Sequence, residues 1–247
     1  MYRNLRFPTM KPLLWIAVAF TATSLLAADN VLTRKEKADG WTLLFDGKTL
    51  NGWDSANPAT PGGQGRGKQG KQGKQAPPPA AHPAVGSAPR PCSAQSEVPA
   101  GASHWEVVHG TLSPCGDPAG YLSSTAEYQD FDLQVDFRTG ADTNSGVFVR
   151  SPRGIQGYEV QIWQWQPAGY NTGAIVGAGK TGREYNFVPD QWNHYEITAD
   201  GDHLVVVLNG DKTLDVHDSK FADGHLRLQY QKYPIEFKNI KLKPIKH

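Results

Sequence analysis

The chain has little that would mark a cofactor enzyme or a metalloprotein. It carries two cysteines, Cys92 and Cys115, in 247 residues, and its eight histidines form no spaced cluster. No metal site of the cysteine–histidine kind is recognisable in it, although a divalent-ion requirement is left open. No dinucleotide fingerprint follows a strand-like run. The glycine-rich stretch Gly177–Gly182 lacks phosphate-loop spacing and a strand-to-helix setting, so a nucleotide cofactor is not expected. Helical periodicity is nearly absent.

Long apolar runs are missing as well. Leu13 to Leu26 is interrupted by Thr21, Thr23 and Ser24 and is short for a membrane span. With Arg3, Arg6 and Lys11 before it and Ala27-Ala28 after it, it has the three-part pattern of a secretory signal peptide. The expectation is residues 1–28 as a leader, cleavage near Ala28, and export to the periplasm or the outside with no stable membrane span after processing. No cysteine follows the run to accept a lipid.

Charge of one sign is also scarce. Removing the leader takes the formal charge from +1 to about −2, and residues 55–103 hold five basic groups against Glu97 alone. What remains is near −6, which argues against a nucleic-acid-binding surface. Residues 56–102 include GGQGRGKQGKQGKQAPPP, too poor in apolar side chains to offset the entropy of ordering. They read as a disordered, basic insertion in one domain over 29–247. The two cysteines could pair in an oxidising compartment and staple a loop to that domain.

What the chain does have is strands. Trp41–Phe45, His104–Val108, Phe131–Arg138, Trp192–Ala199, Leu204–Leu208, Leu226–Tyr230 and Ile235–Leu242 alternate or run apolar, as strands do. Phe131, Leu133, Val135 and Phe137 share one face. His109-Gly110 and Asn209-Gly210 are hairpin turns. Many short strands at near-regular spacing predict an all-β, two-sheet antiparallel sandwich, with a jelly roll fitting best.

The most informative stretch is Asn144–Trp163. Alternation puts Gly146, Phe148 and Arg150 on one face of the first run. In the second, Tyr158, Val160 and Ile162 face one way, and Glu159, Gln161 and Trp163 the other. A carboxylate and an amide beside an indole make a surface for sugar. A cross-strand Arg150–Glu159 ion pair that only fixes register is the plain alternative.

The order of motifs resembles the bacterial 3-keto-disaccharide hydrolases. The resemblance rests on Trp41–Trp53, Trp105 with His109–Leu112, Asp130–Leu133, Asn144–Arg150, Gly157–Ile162, Gly173–Ile175, Gln191–Asn193, Leu208–Gly210 and Ile235–Ile240. It implies a concanavalin-like jelly roll and cleavage of a glycoside oxidised to a ketone at C3. Such a ketone acidifies the C2 proton. A base removes it, the enolate expels the C1 substituent, and water adds back. The site then needs a base, a clamp for the enolate oxygen and a proton for the leaving group.

Within that frame Glu159 is the candidate base, its proton affinity raised if desolvated beside Trp163. Arg150 is the candidate clamp, and Lys180 reaches in from a rim loop. Gln161 and Asn144 orient hydroxyls, Trp163 stacks on sugar, and His194 serves as a proton shuttle. Asn144 reads equally as a turn residue, and His194 as a half-exposed strand residue. A conventional glycosidase needs two carboxylates, and the Glu159 strand has one. The expected ligand is a small carbohydrate, a glycoside or disaccharide; a non-catalytic carbohydrate-binding module is the alternative.

Overall fold

The computed structural model describes residues 28–55, 92–93, 104–116, 120–140, 143–153, 156–164, 166, 168–182, 188–231 and 234–247. The expected leader up to Ala27, the insertion apart from Cys92 and Ser93, and Trp165 lie outside these residues.

Among the described residues one short helix, α1 (Arg34–Ala38), precedes thirteen strands. Thr33 caps it: the Thr33 hydroxyl accepts from the Glu36 N–H, and the Glu36 carboxylate accepts from the Thr33 N–H. The first strands are β1 (Thr42–Leu43), β2 (Trp53–Asp54), β3 (His104–Val108), β4 (Thr111–Cys115), β5 (Gly120–Tyr128) and β6 (Phe131–Thr139). Then come β7 (Ser145–Ser151), β8 (Tyr158–Ile162), β9 (Asn193–Asp200) and β10 (His203–Leu208). The last are β11 (Asp211–His217), β12 (Gly224–Tyr230) and β13 (Ile235–Pro244).

They form two antiparallel sheets of a jelly-roll sandwich. The larger runs β11-β10-β9-β6-β13-β4-β3 with β1 added on β13; the smaller runs β2-β5-β12-β7-β8. Between them lies one core. Leu133, Val135 and Phe137 of β6, Tyr195 and Ile197 of β9, and Phe237 of β13 meet Val147 and Val149 of β7, Val160 of β8 and Leu228 of β12. The predicted alternation of β6 is realised, with every second residue from Phe131 buried. Both His109-Gly110 and Asn209-Gly210 have two consecutive positive φ angles, the signature of the type I′ hairpin turn. The expected staple is present as a Cys92–Cys115 disulfide, which holds the far end of the insertion to β4.

Bulges on both of its neighbours fix the place of β12. Its His225 pairs with Ser151 and Glu127, whereas Arg227 pairs with Phe148 and Ser123. Three residues of β7 and four of β5 therefore pass two of β12, as bulged strands do. Arg150 is the residue left over in β7, and its φ of 51° is left-handed. The alternation breaks there. Arg150 turns away from the Phe148 face and plugs one end of the sandwich.

Its guanidinium is fully buried. Nε donates to the Gln129 carbonyl at 2.6 Å, Nη1 to the Gly201 carbonyl at 2.6 Å and Nη2 to Asp130 Oδ1 at 2.8 Å. These partners come from the β5–β6 and β9–β10 turns, so one side chain ties both sheets. Replacing Arg150 by Met takes the cation from the Asp130 carboxylate and a donor from each of two buried carbonyls, at a cost of about 3 kcal/mol. Urea denaturation should show that loss as a lower midpoint with an unchanged slope.

Candidate functional site

The outer face of the five-stranded sheet is polar, and register aligns its side chains in two rows. Ser123 of β5, Arg227 of β12, Phe148 of β7 and Glu159 of β8 stand opposite one another in turn. Two residues along, Tyr121 pairs with Gln229 and Gly146 with Gln161. Residues opposite each other point to the same side. The faces on either side of β8 are as expected: Tyr158, Val160 and Ile162 enter the core, and Glu159 and Gln161 do not.

This face is recessed. Ser123, Arg227, Phe148 and Gln161 are buried although they lie outside the inter-sheet core. The segment after β7 folds back on it: Arg227 Nη2 donates to the Pro152 carbonyl at 3.2 Å, and Gln156 Nε2 to the Tyr121 hydroxyl at 2.8 Å. The Tyr121 ring meets Phe148 edge-on at 5.3 Å, giving an aromatic floor.

Glu159 lies over Gly146. A Cβ at that glycine would come within 3.0 Å of Glu159 Cγ and Oε1, so the missing side chain is the space the carboxylate fills. Burial raises the Glu159 carboxyl to about 7, because a charge removed from water is disfavoured. The Tyr121 hydroxyl is raised too, first by burial and further by Glu159.

Several polar atoms here have no partner among the described residues: Ser123 Oγ, Gln229 Oε1, and Nε and Nη1 of Arg227. Asn144 Oδ1 and Gln164 Oε1, at the neighbouring ends of β7 and β8, are in the same condition. Buried polar groups are normally satisfied, so an unsatisfied cluster marks a place where something else binds.

The expected site residues divide. Glu159 and Gln161 are on this face. Gln161 is partly engaged, its Oε1 accepting from the Ile162 N–H at 3.1 Å. Asn144 donates through Nδ2 to Gln231 Oε1 at 2.5 Å, beside the face, and Trp163 is half-buried just past β8.

Two expectations are corrected. Arg150 is not a clamp beside Glu159, because the bulge at its own position sends it to the end of the sandwich. His194 belongs to the larger sheet, where β9 turns it outward against Asp136 Oδ1 at 2.6 Å, so it cannot shuttle protons at Glu159. Lys180 is exposed with its Nζ 5.2 Å from the Tyr170 ring centre.

Arg227, Tyr121 and Gln229 were not singled out by sequence reasoning. The signal was weak but present: in Leu226–Tyr230 the polar residues Arg227 and Gln229 alternate with leucines, so they had to share the non-core face.

A two-sheet jelly roll with a recessed polar sheet face defines the class of the protein. The chain belongs to the family of 3-keto-alpha-glucoside-1,2-lyase-like domains, whose sequence pattern it matches over residues 40–243. Two solved structures share its fold. One is described as a candidate glycosyl hydrolase from Parabacteroides distasonis; it is 20% identical, has a TM-score of 0.61 and covers 89% of this chain and 100% of that one. A second from the same organism, with the same description, is 24% identical with a TM-score of 0.51 over 57% of this chain and 90% of that one. No curated protein sequence matches the chain.

The raised carboxyl makes stability depend on pH in a stated direction. Between its ordinary 4.5 and about 7, Glu159 is ionised in the unfolded chain and still protonated in the folded one. The unfolded state then binds fewer protons, so stability falls as pH rises through this window. The contribution, roughly 3 kcal/mol, is whole below the lower value and gone above the upper. In Glu159→Gln that part of the slope should vanish in urea titrations run from pH 4 to 8.

Proposed function

We propose that this protein is a carbohydrate-active enzyme that cleaves 3-keto-glycosides on the outer face of the five-stranded sheet, with Glu159 as the base. The observation that carries the reading is a single desolvated carboxyl, raised to about 7, on a recessed face of unsatisfied polar groups in a chain of this family. A carboxyl with proton affinity near neutrality is suited to removing a carbon-bound proton at physiological pH. The absence of a second carboxylate from the two rows fits elimination better than displacement through an oxocarbenium ion.

The steps balance as follows. Glu159 takes the C2 proton, and the C–H electron pair becomes the C2–C3 double bond while the ketone oxygen takes the negative charge. Re-formation of the ketone makes a C1–C2 double bond and breaks the C1–O bond. The departing oxygen takes a proton from Tyr121, whose hydroxyl accepts from Gln156 and Gln229 and keeps its own proton to donate. Water then gives its hydroxyl to C1 and its proton to the Tyr121 phenolate. Glu159 returns a proton to C2, and both groups are restored. In this reading Asn144, Gln161 and Trp163 hold the rest of the sugar.

Export to an oxidising compartment is part of the proposal. It is supported by the leader-like start of the sequence and by the disulfide.

The test is product analysis with an aryl 3-keto-glucoside and its unoxidised parent. The expected outcome is cleavage of the keto sugar alone, abolished in Glu159→Gln. Because only the ionised carboxylate accepts a proton, kcat/KM should climb with pH and level off above about 7. Failure to cleave the keto sugar, together with a rise in Tm on adding unoxidised glycosides, would make the protein a binding module instead.

A further inference from the structure

The chain buries two arginines among its largest enclosed side chains, and their surroundings differ sharply. Arg150 has a carboxylate and backbone carbonyls on every nitrogen. Arg227 is 1% exposed, has one long hydrogen bond through Nη2, and leaves Nε and Nη1 unanswered. No carboxylate pairs with it among the described residues. Burial draws its proton affinity down. A guanidinium enclosed without a counter-ion is expensive, and its donors point to a ligand oxygen that brings negative charge.

Its position says which charge. Arg227 and Glu159 lie in one row with Phe148 between them. Two strand spacings separate their backbones by about 10 Å. A separation of that order spans one pyranose ring with a hydrogen bond at either edge. The carboxylate would meet one edge of that ring and the guanidinium the other.

We infer that Arg227 is the oxyanion clamp of the reaction, its free Nε and Nη1 donating to the C3 oxygen as it becomes an enolate. The inference rests on the proposed base chemistry at Glu159. It transfers to Arg227 the part that strand alternation suggested for Arg150. The C3 ketone of the resting substrate is neutral and draws little on the guanidinium. The enolate is an anion in a place with little water, where a preformed cation acts most strongly. Arg227 therefore acts on turnover far more than on binding. Ser123 Oγ, opposite it in the row and also unpartnered, is placed to hold a neighbouring hydroxyl.

The experiment compares wild type, Glu159→Gln, Arg227→Met and Arg227→Lys with an aryl 3-keto-glucoside. It follows four quantities: kcat, exchange of the C2 proton with D2O by NMR, affinity for the unoxidised glucoside, and Tm. In Arg227→Met, kcat and C2 exchange should both fall about a hundredfold or more, while affinity for the unoxidised sugar stays near wild type. Arg227→Lys should recover part of the exchange rate. Tm should hold or rise in Arg227→Met, since a buried unpaired charge has been removed; a structural arginine would behave the opposite way.

Turnover retained in Arg227→Met while Glu159→Gln is inactive would overturn the clamp and leave the base standing. Equal losses in kcat and in affinity for the unoxidised sugar would make Arg227 a ground-state binding group. A lowered Tm with unchanged exchange would make it structural. Wild-type protein that neither exchanges C2 nor cleaves the keto sugar would remove the base and the clamp together.

Discussion

A guanidinium taken out of water must have its charge and its five N–H groups answered by something, and that demand organises this protein. At Arg150 the fold supplies the answer itself. The Asp130 carboxylate and the Gln129 and Gly201 carbonyls converge from turns of both sheets. Asp130 Oδ1 also accepts from the Gly201 N–H at 2.8 Å, so the same carboxylate fixes the β9–β10 turn that supplies one of the carbonyls. The sandwich is closed at this end by polar bonds that exist only when both sheets are in place. Such a cluster contributes to specifying one arrangement as much as to net stability.

The bulges around β12 decide which arginine is answered and which is not. Had β7 kept its alternation through Arg150, that side chain would have joined Phe148 on the outer face. The extra residue with φ of 51° sends it to the sandwich end instead. At the point where the bulge ends, Arg227 comes level with Phe148 and Glu159. Gly224 makes this register feasible, because a Cβ there would sit 2.5 Å from the Ser151 backbone. Its φ of 141° is one that few other residues adopt. Strand geometry here is therefore inseparable from site chemistry.

Much of this was legible from residues alone, because its cause is local. Alternation in Phe131–Phe137 and in Tyr158–Ile162 needs only the pleat, and both were realised face by face. Asn209-Gly210 needs only the conformational freedom of those two residues. Glu159 was legible as a carboxylate on the non-core side of an apolar strand. What was not legible depends on distant partners. The bulge at Arg150 is imposed by pairing with β12, about 75 positions later in the chain. The face of His194 was read correctly, but not that β9 belongs to the other sheet. Arg227 was not singled out, since nothing nearby in sequence tells whether a carboxylate will face it. Only the assembled sheet reveals that, among the described residues, none does.

The separation between Glu159 and Arg227 is the last consequence of that assembly. Placed in contact, the two would form a buried ion pair. The guanidinium would hold the carboxylate ionised and weakly basic, and would itself be spent. One strand apart, with Phe148 between them, neither neutralises the other. Burial alone then sets the proton affinity of Glu159, and Arg227 keeps two donors free. Both conditions cost folding free energy, and both would be relieved by shifting the register of one strand. Core packing of Val147, Val149 and Val160 forbids the shift, because a one-residue slip would turn those side chains out of the core. The apolar side of the sheet thus supplies the stability that lets the polar side stay unsatisfied.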